Sequence, residues 1–348
     1  MRAPSFMTQE SEPQFIQESD ADLTTLVDKR IAVVGYGNLG RPFSLNIRDS
    51  CIAPIVVGEL PGPAWERALA DGFPVMPAEA AAADADVIFV LVPDELAPAV
   101  YQEKLSPGLV RGNAVVFASG FNLAFGQITP DPGLDVLLIA PRMLGAGIRD
   151  LYQNGHGFPS FVSVEQDASG GGWQLLCALA KAVGSLRAGA LKISAAQEAR
   201  VDLFVEQTVG PDLACAILSA FQVGVEAGLP PEALLLDLYM SGEMGRSIQA
   251  MADHGFFQQV KLHGYAAAYG GMIRFMGLDR EARAASYRKV YQEIADGEFA
   301  EALRNEVEAG FPSQPFLDDM MTGDNPISRA EERIRNMIRL GTDDKTNY

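Results

Sequence analysis

The stretch "VVGYGNLGR" at residues 33–41 decides the fold of the first half of this chain. A run of small apolar residues leads into three glycines, Gly35, Gly37 and Gly40, spaced G-x-G-x-x-G. When such a loop follows a strand and opens a helix, its glycines allow a tight turn, close approach of a pyrophosphate, and packing of helix on strand. The flanking residues predict a strand before Gly35 and a helix after Gly40. We therefore expect a dinucleotide-binding loop, with a tight turn that holds no ligand as the alternative.

The acidic residue after the next strand-like run indicates which dinucleotide is bound. The run "APIVVGE" ends at Glu59, nineteen residues after Gly40. A carboxylate at this place accepts hydrogen bonds from the ribose hydroxyls and repels a 2′-phosphate. No Lys or Arg follows before Arg67. The sequence thus predicts a preference for NAD(H) over NADP(H), and an exposed glutamate at a strand end is the alternative.

Strand-like and helix-like segments alternate from Lys29 to about Leu138. The nearly continuous apolar runs are typical of parallel strands that are covered on both faces; they are "RIAVVG", "APIVVGE", "DVIFVLVP", "NAVVFAS" and "LDVLLIAP". The segments between them have helical character: "RPFSLNIRDS", "AWERALADG", "PAEAAAAD" and "LAPAVYQEKL". This alternation predicts an α/β N-terminal doubly wound (Rossmann) domain.

After about Gly184 the apolar residues recur at helical spacing, which predicts an all-α C-terminal domain. We place a dinucleotide-binding Rossmann domain at residues 16–186 and a helical substrate and dimerisation domain at residues 187–340. Residues 1–15 and 341–348 are polar and are expected to be disordered tails.

Composition limits the classes of partner. The 348 residues carry a net charge of −18, which argues against nucleic acid or an anionic membrane as a partner. No apolar run reaches the length of about 18 residues that a spanning helix requires, and the polar N-terminus does not read as a signal peptide. The three cysteines show no C-x-x-C or metal-binding spacing, so we expect a cytoplasmic protein.

Polar residues follow the predicted strands at their carboxyl ends, where ligands of doubly wound sheets bind. Arg142 suits a substrate carboxylate, and a solvent-facing loop is the alternative for each strand end. The predicted cofactor-binding residues are Gly35, Tyr36, Gly37, Asn38, Leu39, Gly40, Glu59, Val92, Pro93, Asp94 and Ser119.

Eight segments together resemble one known family: "DADLTTLVDKRIAVVGYGNLGRPFSLNIRDS", "DADVIFVLVPDE", "FNLAFGQI", "QDASG", "AKAVG", "RAGAL", "VDLFVEQ" and "IADGEFA". Over roughly residues 18–340 the chain is similar to the short form of the ketol-acid reductoisomerase (acetohydroxyacid isomeroreductase) family. The resemblance implies a knotted helical domain that is shared in a homodimer. It also implies a magnesium-dependent alkyl migration on a 2-aceto-2-hydroxy acid, followed by hydride reduction of the resulting 2-oxo acid.

The resemblance carries over only part of the family's site. The first carboxylate pair matches Asp202 and Glu206, which lie four residues apart and so share a helix face. The second pair of family glutamates falls on Asp237 and Ser241, so that one carboxylate is replaced by a hydroxyl. Glu243 lies nearby but faces elsewhere on a helix.

Three further positions of the family differ in this chain. The family's histidine corresponds to Ser119, its lysine to Arg142 and its serine to Gly264. None of the three histidines of the chain falls at a position that the family uses; His263, beside Gly264, is the one that could enter the crevice, although a surface or core position is the alternative.

The replacement of these family residues limits the chemistry that we expect. With candidate ligands Asp202, Glu206 and Asp237, we expect a single Mg²⁺ at most, because a metal pair needs more carboxylates. The alkyl-migration step is then expected to be lost, leaving NAD(H)-dependent hydride transfer to a small carboxylate-bearing ketone or imine. The predicted catalytic residues are Asp202, Glu206, Arg142 and Ser119. The alternatives are a genuine ketol-acid reductoisomerase of branched-chain amino-acid biosynthesis and a non-catalytic dinucleotide-binding or assembly protein.

Overall fold

The computed structural model describes residues 14–50, 53–322 and 324–338. By the density of its internal contacts, the chain divides into two units between Asp202 and Leu203. The domain boundary expected from the sequence, at 186/187, lies earlier in the chain. Of the two predicted tails, residues 1–13 and 341–348 lie outside the described residues.

The first unit contains one sheet, to which nine strands of the described chain contribute. The strands are β1 (Phe15–Ile16), β2 (Ile31–Val34), β3 (Ile55–Gly58), β4 (Val75–Met76), β5 (Val87–Val90), β6 (Ala114–Phe117), β7 (Asp135–Pro141), β8 (Ser160–Gln166) and β9 (Ala190–Lys192). Six of them are parallel in the order β4-β3-β2-β5-β6-β7, which is the doubly wound arrangement. The predicted Rossmann-like fold is therefore confirmed.

The other three strands extend this sheet beyond β7. Strand β8 is antiparallel to β7, β9 is parallel to β8, and β1 is antiparallel to β9. Two expectations are corrected here. Phe15, placed in the disordered tail, pairs with Leu191 in β1 and β9, and the segment after Gly184, expected to be helical, contains β9.

Seven helices connect the strands of the first unit within the described residues. They are α1 (Gly40–Ser50), α2 (Pro63–Ala70), α3 (Ala78–Ala83), α4 (Ala97–Val100), α5 (Phe121–Ala124), α6 (Gly145–Gln153) and α7 (Gly172–Ala182), and a π-helical turn continues α4 over Tyr101–Leu105. Successive residues of β2 are buried in different cores, Ile31 and Val33 in one and Ala32 and Val34 in the other. The sheet is thus covered on both faces, as its uninterrupted apolar runs predict.

From Ala195 onward, the described residues form only helices and turns. The helices are α8 (Ala195–Glu226), which begins in the first unit, α9 (Pro231–Leu235), α10 (Glu243–His254), α11 (Tyr265–Met276), α12 (Arg280–Ala295), α13 (Glu298–Glu308), α14 (Gln314–Thr322) and α15 (Pro326–Met337). A π-helical segment, Leu236–Met240, follows α9. The predicted all-helical second part is confirmed apart from the preceding strand β9.

Helix α8 is unusually apolar and exposed. Among the described residues it is the one helix that is long and apolar enough, by those two measures alone, to cross a membrane. Its most apolar 18-residue window has a mean hydropathy of 1.4, and 11% of that window is buried. A single helix of this kind is weak evidence for a membrane span. This window differs from the expectation that no apolar run of about 18 residues occurs in the chain.

Candidate functional site

The glycine loop has the geometry that its motif predicts. Gly35 has φ +94°, and a Cβ added to it would lie 2.7 Å from the carbonyl oxygen of Leu91. A Cβ at Gly40 would lie 1.8 Å from the carbonyl oxygen of Gly35, whereas a Cβ at Gly37 would meet no atom within 4 Å. The first glycine thus makes the turn, the third allows α1 to pack closely, and the second faces the open space that a pyrophosphate requires. The loop fits a dinucleotide.

Glu59 lies directly against this loop. Its Oε2 accepts a hydrogen bond from the backbone N–H of Tyr36 at 2.7 Å, and its Oε1 accepts one from the N–H of Leu60 at 2.8 Å. Each carboxylate oxygen has a second lone pair for a further donor. The carboxylate is therefore held beside the loop in an orientation that suits ribose hydroxyls.

A second network fixes the loop from the other side. The buried Tyr36 hydroxyl donates to Asp71 Oδ2 at 2.8 Å, and Arg41 donates to both carboxylate oxygens of Asp71 at 2.7 and 3.2 Å. The hydrogen bond from Arg41 is the main reason that the pKa of Asp71 lies below its usual range. This network makes the start of α1 rigid.

The residues after β5 and β6 are brought together as expected. Ser119 Oγ donates to Asp94 Oδ2 at 2.8 Å and accepts from the N–H of Phe121 at 3.2 Å. Asn122 Nδ2 donates to the backbone carbonyl of Asp94 at 3.0 Å. Val92 and Pro93 precede Asp94 in the same connection. Ser119 therefore presents an oriented hydroxyl at the carboxyl edge of the sheet.

Arg142 follows β7 and is held between two carboxylates of α8. Its Nη2 donates to Glu198 Oε1 at 2.7 Å, and its Nη1 is hydrogen-bonded to Asp202 Oδ1. The guanidinium carbon lies 4.9 Å from the centre of the Phe161 ring. Such a clamp fixes both the position and the plane of the guanidinium group.

Two polar atoms in this region have no hydrogen-bond partner among the described residues, although both are buried. They are Arg142 Nε and Asn122 Oδ1. Unpaired buried polar atoms are uncommon in native proteins and call for a specific explanation such as a ligand or ordered water. Their occurrence in one region agrees with a ligand site there.

Glu198 is the site residue that the sequence analysis missed. It is 1% exposed, and its Oε2 accepts from the N–H of Gly120 at 2.7 Å. Burial raises the pKa of Glu198 to about 7, although the Gly120 N–H and Arg142 favour the charged form. Glu198 lies one helical turn before Asp202, and this spacing was the available signal.

The loop after Arg142 also contacts the glycine loop. A Cβ added to Gly145, the first residue of α6, would lie 1.9 Å from the carbonyl oxygen of Asn38. This close approach places the connection that carries Arg142 beside the loop residues Asn38 and Leu39. The predicted cofactor and catalytic residues of the first unit thus occupy one edge of the sheet.

The remaining candidates lie further along the chain. Glu206 is one turn beyond Asp202 in α8. Asp237 is exposed in the segment Leu236–Met240, the exposed Ser241 follows it, and Gly264 precedes α11. Within the described part of this single chain, no group of three or more His, Cys, Asp or Glu side chains is arranged to hold a metal ion.

The donor chemistry fits one hard divalent cation better than two. Asp202 and Glu206 supply carboxylates on consecutive turns of α8, the ligand type that Mg²⁺ prefers. One oxygen of Asp202 is already engaged by Arg142, and Ser241 offers a hydroxyl in place of a carboxylate. Asp202 and Glu206, on one face of α8, would hold the ion, which when bound would polarise substrate oxygens.

Comparisons with known proteins cover nearly the whole chain. Residues 25–189 match the family model described as "Acetohydroxy acid isomeroreductase, NADPH-binding domain", and residues 196–340 match "Ketol-acid reductoisomerase, C-terminal domain". The chain is 38% identical to "Ketol-acid reductoisomerase (NADP(+))" of Methanopyrus kandleri, over 92% of this chain and 97% of that protein. It is 36% identical to "Putative ketol-acid reductoisomerase 3" of Saccharolobus solfataricus, over 93% of this chain and 98% of that protein.

One solved structure is similar over the same extent. It is an NADH-preferring ketol-acid reductoisomerase from an uncultured archean, with a TM-score of 0.87 and 32% sequence identity, and the match covers 93% of this chain and 99% of that chain. The relatives thus include proteins named for either nicotinamide cofactor.

Proposed function

The chain belongs to the ketol-acid reductoisomerase family, an NAD(P)-dependent oxidoreductase family, and we propose that it uses NADH to reduce a small 2-oxo acid in the ketol-acid reductoisomerase reaction. The observation that carries this proposal is the single sheet edge where a dinucleotide loop, Glu59 and the charged cluster around Arg142 lie together. NADH when bound supplies the hydride, and the protein supplies orientation and charge.

The names of the relatives favour the complete two-step reaction. In it, a 2-aceto-2-hydroxy acid first rearranges: one carbon–carbon bond breaks and another forms, without change of composition. The resulting 2-oxo acid then takes a hydride and a proton to give a 2,3-dihydroxy acid. Full-length similarity to proteins named for this reaction supports it over the reduction alone, which the sequence analysis favoured.

Reduction alone is retained as the second candidate because of one specific observation. Asp202, one of the expected metal ligands, is ion-paired to Arg142. Ser119 and Ser241 replace two further polar groups of the family's site. Hydride transfer requires an electrophilic carbonyl and a proton source, which asks less of the site than rearrangement does.

In the reduction, the side chains of the first unit would each have a separate role. The guanidinium of Arg142 would orient the substrate carboxylate. The hydroxyl of Ser119, on releasing Asp94, would donate to the carbonyl oxygen that becomes an alkoxide, and Glu198, with a pKa of about 7, is partly protonated near neutral pH. The rigid glycine loop would direct backbone N–H groups and the start of α1 at the pyrophosphate.

Glu59 supports a preference for NADH. Its carboxylate lies against the glycine loop, where it would accept hydrogen bonds from ribose hydroxyls and would repel a 2′-phosphate. The next residues, Leu60, Pro61, Gly62 and Pro63, bring no cation, and Pro63 begins α2 without an N–H to donate. An anionic phosphate would therefore find no positive charge among these residues.

A homodimer is the assembly we propose. Exposed apolar side chains recur every four residues along α8, at Val201, Val205, Val209 and Leu213. A continuous exposed apolar stripe of this kind marks an interaction surface. Its coverage by a second copy in the cytoplasm, rather than by lipid or nucleic acid, agrees with the net charge of −18.

Four assays of the purified protein test the function. NADH or NADPH is combined with 2-acetolactate or with its rearranged isomer, 3-hydroxy-3-methyl-2-oxobutanoate, in the presence of Mg²⁺. The complete reaction predicts NADH oxidation with both acids, whereas reduction alone predicts oxidation only with the rearranged acid. Oxidation with neither acid would contradict both candidates and favour a non-catalytic dinucleotide-binding protein.

A further inference from the structure

The two carboxylates that hold Arg142 differ in their surroundings. The side chain of Glu198 is 1% exposed and is also held by the N–H of Gly120, whereas the side chain of Asp202 is 39% exposed. Separation of Arg142 from Glu198 would leave a buried carboxylate without its cation, which is costly. Separation from Asp202 would return a half-exposed carboxylate to water. The Arg142–Asp202 ion pair, which we call the outer pair, is therefore the one that opens.

We propose that Arg142 and a divalent cation compete for Asp202, so that the Arg142–Asp202 ion pair is the cation-free form of the site and opens when a cation binds. The identity of the cation as Mg²⁺ rests on the proposed function. A guanidinium and a dication on one carboxylate lie within a few ångströms of each other and repel strongly where water is partly excluded. Hard cations also require carboxylate oxygens free to enter their coordination sphere.

When the Arg142–Asp202 pair opens, the partly exposed Asp202 side chain turns away with the cation, and Arg142 stays in place. Its Nη2 remains bonded to Glu198, and its guanidinium remains against the ring of Phe161. Only Nη1 loses its partner, and its N–H groups become available to an anion. Cation binding at Asp202 thus exposes a fixed cationic donor, which is suited to a substrate carboxylate. The site gains its anion-binding group only after the metal has arrived.

Titration with Mn²⁺, followed by electron paramagnetic resonance, tests the competition in the full chain without nucleotide or acid. Arg142→Met is expected to bind Mn²⁺ about tenfold or more tightly than the wild type. Arg200→Met is the matched control: it removes the same charge close to Asp202 in α8, and Arg200 is exposed with no ion pair in the described structure. Its Mn²⁺ affinity should equal that of the wild type. In Arg142→Met, the further change Asp202→Asn should abolish the added affinity.

Equal Mn²⁺ affinity of the wild type and Arg142→Met would overturn the proposal, and so would an equal gain in Arg200→Met. Circular dichroism reports whether each variant is folded. If Arg142→Met does not fold, Arg142→Lys takes its place, because one ammonium group cannot span both carboxylates; we expect its Mn²⁺ affinity to exceed that of the wild type, and equality would overturn the proposal. Because no turnover is measured, failure here is separate from failure of NADH-dependent reduction.

Discussion

The two units of this chain bury their apolar residues to very different degrees. In the first unit, the residues of β2 from Ile31 to Val34 are at most 1% exposed, and both faces of the sheet are covered by the same chain. In the second unit, the cluster of buried apolar residues is small: Phe221, Leu235, Ala330 and Ile334. Val209 and Leu213 of α8 are 52% and 42% exposed. Among the described residues, the first unit buries its apolar side chains on both faces of a sheet, whereas the second leaves an apolar stripe of α8 exposed.

The largest effect we expect comes from disturbing the tightest packing of the first unit. In Gly40→Ala, the new methyl group would collide with the backbone carbonyl of Gly35. We expect a loss of about 3 kcal/mol in the free energy of unfolding, together with loss of NADH binding. Urea unfolding and a fluorescence titration with NADH measure the two effects.

Gly37→Ala sharpens this result, because the methyl group would meet no protein atom within 4 Å. It should unfold like the wild type and still fail to bind NADH, since the methyl group enters the space of the pyrophosphate. Normal NADH affinity in Gly37→Ala would show that the loop does not hold the dinucleotide.

The next effect tests whether the second unit depends on a partner. Val209→Asp places a carboxylate in the exposed stripe of α8, and burying it in an apolar contact costs several kcal/mol. We expect sedimentation velocity to show a dimer for the wild type and a monomer for the variant. Val110→Asp, at a 64% exposed position of the first unit, should remain dimeric. A monomeric wild type, or a dimeric Val209→Asp, would contradict the proposal that a second copy of the chain covers the stripe of α8.

The third prediction concerns the pH dependence of the first unit. The pKa of Glu198 is raised to about 7 in the folded chain from 4.5. The folded chain binds this proton more tightly than the unfolded chain does. The resulting contribution to the free energy of unfolding is therefore complete below pH 4.5 and is lost as the pH rises through about 7. We expect a difference of about 3 kcal/mol across this range.

Glu198→Gln should remove this dependence. The free energy of unfolding is measured at pH 5 and at pH 8 for the wild type and the variant. These two pH values span most of the range over which Glu198 titrates. The same change in both proteins would mean that Glu198 titrates in its ordinary range.

The smallest effect tests the choice of cofactor. Glu59→Gln keeps one oxygen that can accept a backbone hydrogen bond and removes the charge that repels a 2′-phosphate, so the preference for NADH over NADPH should fall by about tenfold. The ratio of kcat/KM for the two cofactors measures it. Glu66→Gln, an exposed change on α2, serves as the control. An unchanged ratio in Glu59→Gln would assign cofactor choice to other residues.

The sequence predicted five of the six parallel strands, because each of those five is a nearly uninterrupted apolar run. It missed β8, in which polar residues such as Ser160 and Ser163 interrupt the run. It also missed β1, β4 and β9, which have only two or three residues each. Strands of that length depend on pairing with a neighbour already in place, and no local pattern specifies that pairing.

The candidate site likewise has one part that the sequence predicts and one part that it does not. The glycine loop and Glu59 are joined by a motif of fixed spacing, so the sequence alone relates them. The pairing of Arg142 with Asp202 joins residues 60 positions apart, and the significance of Glu198 comes from burial against Gly120. Both depend on how α8 packs on the ends of the strands. Candidate residues could be named from the sequence, but their mutual contacts could not.

The most direct test of the central claim is NADH oxidation by the purified wild-type protein supplied with 3-hydroxy-3-methyl-2-oxobutanoate and Mg²⁺, with the product identified by mass spectrometry. Both candidate reactions pass through this reduction, so the account predicts one 2,3-dihydroxy-3-methylbutanoate formed for each NADH consumed. A folded protein that binds NADH and forms no dihydroxy acid would contradict it.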